Sequence, residues 1–251
     1  MTAITPAPQK WVINSLLAVS FLILTTSLSQ AVTIFVRPTA VTAAVVTGYS
    51  VDSTFDRAID GSGLSNAALV ATGQLVPALV TSGPTHTETF GTNTARFFNN
   101  ANLENQNGQG TSFTPAGVSL TFNLGDTYDI GGLWLWNYRE GTGNRLNRGI
   151  DSVFVEFSTN GTDWTNGQTI NPALINSSGQ AQSLTFTGTN TGIQFIRFSS
   201  FSNFGPAENS NFIGFSEIRF TAEAIPEPGI SLLGTMGLMA LTLRRRRSRQ
   251  A

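Results

Sequence analysis

Two apolar segments, one at each end of the chain, limit the part that can form a folded core. At the C-terminus, residues 229–243 carry no charge and are followed by four consecutive arginines: Arg244, Arg245, Arg246 and Arg247. Because guanidinium groups are not buried without partners, this run is not the edge of a soluble core. The pattern is typical of a membrane segment with its basic end on the cytoplasmic side. A helix of this length spans ~22 Å, less than the ~30 Å hydrocarbon core, which suits a transient anchor.

A Pro-Glu-Pro tripeptide, Pro226, Glu227 and Pro228, directly precedes this apolar segment. The tripeptide, the apolar helix and the arginine cluster at the extreme C-terminus together resemble the PEP-CTERM sorting signal. The resemblance implies export and then cleavage near the tripeptide by an exosortase, a membrane transpeptidase-like enzyme. Until that cleavage the C-terminal helix would hold the chain in the membrane. An ordinary C-terminal tail anchor is the alternative.

The N-terminal segment is typical of a secretory signal. Residues 11–28 are apolar apart from Asn14 and a few hydroxyl residues, and small residues lead to Ala31, after which a signal peptidase would cleave. An uncleaved N-terminal membrane helix is the alternative. We therefore expect a signal peptide at 1–31, a folded domain at 32–224 and a sorting segment at 225–251. The two signals imply a Gram-negative bacterial protein at the cell surface, outer membrane or extracellular matrix.

The charge balance of the chain changes when both ends are removed. The whole chain has 14 basic and 15 acidic residues, but residues 32–227 keep only 8 arginines, no lysine and all 15 acids, a net charge of −7. A domain this acidic is a poor partner for nucleic acid or anionic lipid, because both are bound largely by neutralising phosphate. The chain has no cysteine, so core packing, and a metal ion where one is bound, must stabilise the exported domain.

Short β-forming runs between turn residues predict one antiparallel β-sandwich with long loops. The predicted strands are 119–124, 130–138, 152–158, 185–187, 193–199 and 212–221. In the second strand, Leu133 and Leu135 are expected on one face and Trp134 and Trp136 on the other. In the last strand, the even-numbered residues from 212 to 220 are expected opposite Ile213, Phe215, Glu217 and Arg219. The polar stretch 99–111 is expected to be a functional or mobile loop.

Seven short motifs occur in order between residues 41 and 222. They are AIDGSG (58–63), LTFNLG (120–125), LWLWNY (133–138), RGI (148–150), VEFSTNGTDW (155–164), IRF (196–198) and FSEIRF (215–220). This order resembles the discoidin, or coagulation-factor C-type, branch of the galactose-binding-like jelly rolls. The resemblance implies an all-β, antiparallel jelly-roll sandwich that binds rather than catalyses. Many relatives have a tryptophan before the Phe-x-Leu-Gly strand, where this chain has Arg96, Phe97 and Phe98.

Few residues of the chain suit catalysis. A serine triad or a zinc site would have to use His86, the only histidine, and there is no cysteine nucleophile. His86 lies in a turn-rich stretch without a nucleophile-elbow sequence, so we expect a solvated loop histidine. A pair of carboxylates that hydrolyses a glycoside is not forbidden by the sequence, although no pair stands out. We expect a protein that is not an enzyme.

The discoidin resemblance also implies a structural calcium ion. In many of these jelly rolls calcium joins the early Asp-Gly loop to the last strand, and the matching residues here are Asp60 and Glu217. Further oxygen ligands would be Ala58 and Ser65. Calcium prefers such oxygen-rich sites. The alternative is that Asp60 caps its own turn while Glu217 is solvated or pairs with Arg57 or Arg219.

The loop after the tryptophan strand combines residue types that hold sugars. Aromatic faces pack on sugar C–H groups, while Arg, Asn and Glu bond to the hydroxyls. The candidate ligand-binding residues are Trp136, Asn137, Tyr138, Arg139, Arg145 and Arg148. In the alternative, Trp134 or Trp136 lies in the core and the arginines are solvated or pair with Asp151. For Trp134 we expect the core position. A weaker candidate group is Phe201, Asn203 and Phe204.

The sequence therefore predicts an exported, exosortase-processed protein whose β-sandwich binds extracellular polysaccharide or another surface glycan without catalysis. A purely structural matrix protein, kept soluble by its acidic surface, is the alternative.

Overall fold

The computed structural model describes residues 32–44, 55–86, 96–99 (backbone only), 118–138, 148–174, 179–205 and 212–224. Within these ranges the chain forms nine β-strands and three short 3₁₀ helices. The strands are β1 (Val32–Val36), β2 (Ala40–Ala44), β3 (Arg96–Asn99), β4 (Ser119–Asn137), β5 (Ile150–Ser158), β6 (Thr165–Ile170), β7 (Gln182–Thr185), β8 (Ile193–Asn203) and β9 (Phe212–Ala224). The 3₁₀ helices are Phe55–Ala58, Ala67–Val70 and Val80–Ser82.

Strand β4 is 19 residues long and belongs to both layers of the fold. Its first half pairs with β2 and β8, and its second half pairs with β9 and β7. The register with β8 shifts between Asn123 and Tyr128. Gly125 lies in this shift at φ 83°, and its amide donates to Asn123 Oδ1 at 2.8 Å. Because glycine adopts positive φ without a steric cost, β4 can turn here from one layer into the other.

All strand pairs are antiparallel, and two layers pack face to face. The first layer contains β1, β9, the second half of β4, β7, and β3, which pairs with β9. The second layer contains β2, the first half of β4, β8, β5 and β6. Phenylalanine rings join the layers: Phe122 and Phe220 have centroids 5.5 Å apart, and Phe198 and Phe220 6.2 Å. The prediction of an all-β antiparallel sandwich is confirmed. The finer assignment to the galactose-binding-like jelly rolls stays a prediction.

A second, smaller core lies on the other face of the first layer. Trp134 and Trp136 are buried there against Phe35 and Val70, whereas Leu133 and Leu135 belong to the main core. This confirms the predicted alternation of β4 and the core position of Trp134. We call residues 55–86 the covering segment, because they supply much of this second core.

The sequence pattern assigned several strands incorrectly. The predicted strands 119–124 and 130–138 are one strand, and β1, β2, β3 and β6 were not predicted. The predicted faces of the last strand are wrong, because Phe215 and Ile218 both lie in the main core. Trp136 pairs with Glu217 but Asn137 pairs with Phe215, so Ser216 is an extra residue that shifts the alternation.

The predicted terminal helices and most of the polar loop lie outside the described residues. These are the signal peptide ending at Ala31, the segment from Ile225 to the C-terminus, and residues 100–111. Among the residues that the structure does describe, no helix is long and apolar enough to cross a membrane.

Two adjacent glycines of β4 give a matched test of the fold. A Cβ at Gly132 would stand 2.4 Å from the backbone oxygen of Leu184 in β7, whereas a Cβ at Gly131 meets no atom within 4 Å. We expect Gly132→Ala to destabilise the domain by roughly 1–3 kcal/mol, because β7 must move away from β4. Gly131→Ala should change stability by less than about 0.5 kcal/mol. Equilibrium urea unfolding measures both, and equal effects would contradict the close approach of β7.

Candidate functional site

Asn137, a predicted ligand residue, instead joins two strands. Its Nδ2 donates to the Ile150 carbonyl at 2.8 Å, and its Oδ1 accepts from the Ile150 amide at 2.8 Å. A Cβ at Gly149 would lie 2.9 Å from Oδ1, so glycine is required for this approach. The Asn137 side chain therefore replaces a missing pair of ladder hydrogen bonds between the end of β4 and the start of β5.

The other described residues of the predicted sugar loop are also buried. Trp136 is 1% exposed and donates from Nε1 to the Pro84 carbonyl at 3.0 Å, so the core alternative holds for it. Tyr138 and Arg148 are 3% and 7% exposed. As placed here, these side chains have no open face for a sugar. Arg139 and Arg145 lie outside the described residues, so their predicted contact with a ligand stays a prediction.

Two of the three residues in the weaker candidate group, Phe201 and Asn203, are also buried. Each is 1% exposed, and Phe201 belongs to the main core. Phe204, which follows β8, is partly exposed. Phe201 and Asn203 therefore present no open face to a ligand. Ser200 has φ 49°, and the pairing between β5 and β8 shifts register nearby. An irregularity of this kind changes which side chains face inward, and the sequence did not signal it.

The two predicted calcium ligands, Asp60 and Glu217, have other partners. Asp60 Oδ1 accepts from the Ser62 amide at 2.6 Å, which caps the Asp-Gly turn. Glu217 is fully buried; its Oε2 accepts from the Gly61 amide at 2.8 Å and its Oε1 accepts from Arg219 Nη1. Burial raises the pKa of Glu217 to about 7, and Arg219 and the Gly61 amide oppose this increase.

This arrangement does not fit a calcium ion. Both carboxylate oxygens of Glu217 already accept hydrogen bonds, and the positively charged Arg219 side chain lies directly against the Asp60–Gly61 loop. The described residues contain no group of three or more His, Asp or Glu side chains with metal-binding geometry. Calcium binding by Asp60 and Glu217 stays a prediction that the observed donor geometry does not support.

His86 was expected to be a solvated loop residue, and this expectation is wrong. Its ring is 3% exposed, and its Nε2 donates to the Ser62 carbonyl at 3.0 Å. Nδ1 has no hydrogen-bond partner among the described residues. Burial lowers the pKa of His86 to about 4, and the hydrogen bond to Ser62 and the charge of Asp60 oppose this decrease. The neutral ring packs against Gly63, where a Cβ would stand 2.6 Å from it.

The buried imidazole makes stability depend on pH. The folded chain keeps His86 neutral to about pH 4, while the unfolded chain protonates it near 6.5, so the unfolded state binds more protons between these values. This contribution to the unfolding free energy is therefore lost as the pH falls from about 6.5 to about 4. Glu217 acts in the opposite sense: its contribution is lost as the pH rises from about 4.5 to about 7.

We therefore expect the stability of the wild-type protein to change little between pH 4.5 and 6.5. The His86→Gln variant keeps a donor for the Ser62 carbonyl but removes one titration, so its stability should fall as the pH rises across this range. Urea unfolding at several pH values measures the difference. Since the chain has one histidine, its imidazole NMR signals are unambiguous. A folded-state titration midpoint near 6.5 would contradict the burial of His86.

An open polar concavity lies on the first layer, where β1, β9, β4 and β7 run side by side. A cavity of about 370 Å³ is bounded there by four hydroxyl side chains, one carboxylate, and an apolar wall from the covering segment. Its lining residues are Thr33, Ser183, Thr185, Thr221, Glu223, Val76, Pro77, Ala78, Ala222 and Gly131. Gly131 is exposed and its missing side chain leaves the floor open.

A second cavity, of about 220 Å³, shares Gly131 and Glu223 with the first. It is bounded by Asp129, Ile130 and the turn 188–191. Asn190 in this turn is buried, and its Nδ2 donates to the Ile130 carbonyl at 3.3 Å, which fixes the turn against β4. Because they share two residues, we treat the cavities as one groove, the Gly131 groove.

The groove is acidic. Asp129 and Glu223 are directly opposite each other on β4 and β9, so their carboxylates lie on the same face. Asp129 Oδ1 accepts from the Gly192 amide at 2.9 Å, which directs it toward the turn. No Arg, Lys or His is among the described residues that line the groove. Like charges in this arrangement repel, and a ligand with hydroxyl donors would reduce that repulsion.

No residue of this groove is among the ligand residues predicted from the sequence. The available signal was Gly131-Gly132 inside a strong strand pattern, since glycine within a strand often marks a bulge or a close approach. The alternating threonines and serines of β7 and β9 give no comparable signal, because such residues are common in any solvated strand.

No family model and no curated protein matches the chain. Solved structures with a similar fold include CBM32-3 from a family 31 glycoside hydrolase of Clostridium perfringens, with 15% identity over 75% of this chain and 95% of that one, at a TM-score of 0.44. The family 32 CBM of C. perfringens NanJ in complex with galactose has 12% identity over 76% and 99% of the two chains, at 0.40. An F5/8 type C domain from Bacteroides fragilis has 12% identity over 75% and 100%, at 0.37. These domains are of the type that the sequence motifs resemble.

Proposed function

We propose that this domain binds a neutral extracellular polysaccharide in the Gly131 groove without cleaving it. The observation that supports this function is the groove itself: its larger cavity of about 370 Å³ lies within the ~300–1,000 Å³ of ordinary ligand sites. It is an open groove across four strands rather than a closed pocket, and an extended chain can lie along it.

The lining of the groove suits a sugar. Hydroxyl groups of Thr33, Ser183, Thr185 and Thr221 can donate and accept, and the carboxylates of Glu223 and Asp129 accept hydrogen bonds from sugar hydroxyls. The wall of residues 76–78 offers apolar contact to the C–H faces of a ring. Gly131 leaves room for the ligand to approach the backbone of β4.

The charge of the groove favours a neutral ligand over an anionic one. No cationic side chain lines it among the described residues, and residues 32–227 carry 8 arginines against 15 acids. An alginate-like or phosphorylated polymer would bring further negative charge to Asp129 and Glu223 and would be repelled.

The terminal signals support a location outside the inner membrane for this activity. We propose export with removal of residues 1–31 by signal peptidase, processing near Pro226–Pro228 by an exosortase, and delivery to the surface or matrix of a Gram-negative cell. Binding to polysaccharide would then hold the protein in that layer. A structural matrix protein without specific glycan recognition is the alternative.

Blocking the groove tests the binding proposal. We expect native affinity gels that contain neutral galactan or dextran to retard the wild-type protein and Gly131→Ala equally, whereas Gly131→Trp should lose at least 10-fold in affinity because the indole fills the groove. Gels with alginate should not retard any of them. Equal retardation of Gly131→Trp and wild type would exclude the groove, and no retardation by any neutral polymer would favour the structural alternative.

The facing carboxylates favour glycoside hydrolysis as a second candidate, because such enzymes use two carboxyl groups on either side of the scissile bond. Glu223→Gln keeps the shape and removes one charge. For a binding protein we expect roughly a 10-fold weaker affinity, from the loss of a charge-assisted hydrogen bond, and no release of reducing ends by either form. Release of reducing ends by wild type and its loss in Glu223→Gln would identify a hydrolase.

A further inference from the structure

The side chain of Arg219 is buried in the contact between β9 and the covering segment. It is 1% exposed, and its Nη1 donates to Glu217 Oε1 and to the Ile218 carbonyl. Its Nε donates to the Val70 carbonyl at 3.0 Å, at the end of the second 3₁₀ helix. Glu217 in turn accepts from the Gly61 amide. One guanidinium and one carboxylate thus join β9 to the covering segment at two points.

The partners of Arg219 are the ligand types that a hard cation prefers. They are one carboxylate oxygen and two backbone carbonyl oxygens, and calcium sites are built from the same groups. A Cβ at Gly61 would lie 3.3 Å from Arg219 Nη2, so the guanidinium also lies against the loop that begins at Asp60. The positive charge is therefore at the meeting point of the Asp-Gly loop and the last strand.

We propose that Arg219 is the structural cation of this domain: its guanidinium takes the place between the Asp60–Gly61 loop and Glu217 where the discoidin resemblance implies calcium. The domain consequently keeps its covering segment attached without a metal ion. Gly61 is part of this device, because its φ of 83° and its missing side chain admit the guanidinium.

A calcium ion and Arg219 exclude each other at this position. Each carboxylate oxygen of Glu217 already accepts a hydrogen bond, one from Arg219 and one from Gly61, and the guanidinium would repel a divalent cation at contact distance. Removing the guanidinium leaves a buried carboxylate, two carbonyl oxygens and the nearby charge of Asp60, with the more distant charge of Arg37 as a remaining positive influence. Such a cluster binds calcium better than the wild-type arrangement does.

The test compares metal binding by full-length wild-type protein, Arg219→Ala and Arg219→Lys at pH 8. Trp134 and Trp136 are the register partners of Arg219 and Glu217, so bound Tb³⁺ would be sensitised by tryptophan. We expect Tb³⁺ luminescence that calcium displaces in Arg219→Ala, and none in wild type or in Arg219→Lys, which keeps a positive charge. Calcium should raise the thermal midpoint of Arg219→Ala by roughly 5 °C and leave wild type unchanged with calcium or with EGTA.

Arg197→Ala is the matched control, because it removes the partly exposed ion pair with Glu156 and should create no metal site. Wild-type protein that binds Tb³⁺ or is stabilised by calcium would overturn the proposal, and so would a folded Arg219→Ala that responds to neither ion. If Arg219→Ala does not fold, the titrations of wild type and Arg219→Lys decide: a metal-induced rise in either midpoint overturns the proposal, and unchanged midpoints support it.

Discussion

The fold depends on one strand that serves two layers. β4 pairs with β2 and β8 in its first half and with β9 and β7 in its second half. The remaining strands are joined to β4 through β9 or β8. A straight strand cannot serve both layers, and the change of direction falls where Gly125 adopts a positive φ. The phenylalanines of both layers then meet across a single core. A second register shift in the same strand, between Ile130 and Gly132, leaves Gly131 as an extra residue that forms the floor of the groove.

The covering segment connects the buried charges to the candidate binding surface. It has little regular structure of its own, only short 3₁₀ helices and a short antiparallel pairing of residues 73–76 with β1. Side chains hold it at three further points: Trp136 at the Pro84 carbonyl, Arg219 at the Val70 carbonyl and Glu217 at the Gly61 amide. Residues 76–78 of the same segment form the apolar wall of the groove. The buried ion pair thus supports the shape of a surface that it does not itself line.

The sequence predicted the features that follow from alternation and composition, and it missed those that depend on strand register. The two faces of β4 at Leu133 to Trp136 were predicted correctly, because a half-buried strand must alternate. The faces of β9 were not, because the extra residue at Ser216 reverses the pattern and leaves no mark in composition. The same cause explains the sugar loop. Asn137 has the chemistry of a sugar ligand, but its position at the end of β4 makes its amide a substitute for backbone hydrogen bonds to Ile150. Residue type alone does not distinguish these uses.

The two polar sites of this domain differ in the charge that they contain. The buried Arg219 donates its hydrogen bonds to groups within the fold, and these bonds attach the covering segment to β9. Where the chain places two negative charges opposite each other, at Asp129 and Glu223, no cation lies among the described lining residues. Like charges that face each other directly are unfavourable, and the Gly192 amide that donates to Asp129 offsets part of this cost. A ligand rich in hydroxyl donors recovers part of it, whereas an acidic polymer increases it. For that reason we infer a neutral glycan from the groove, and not from the predicted sugar loop.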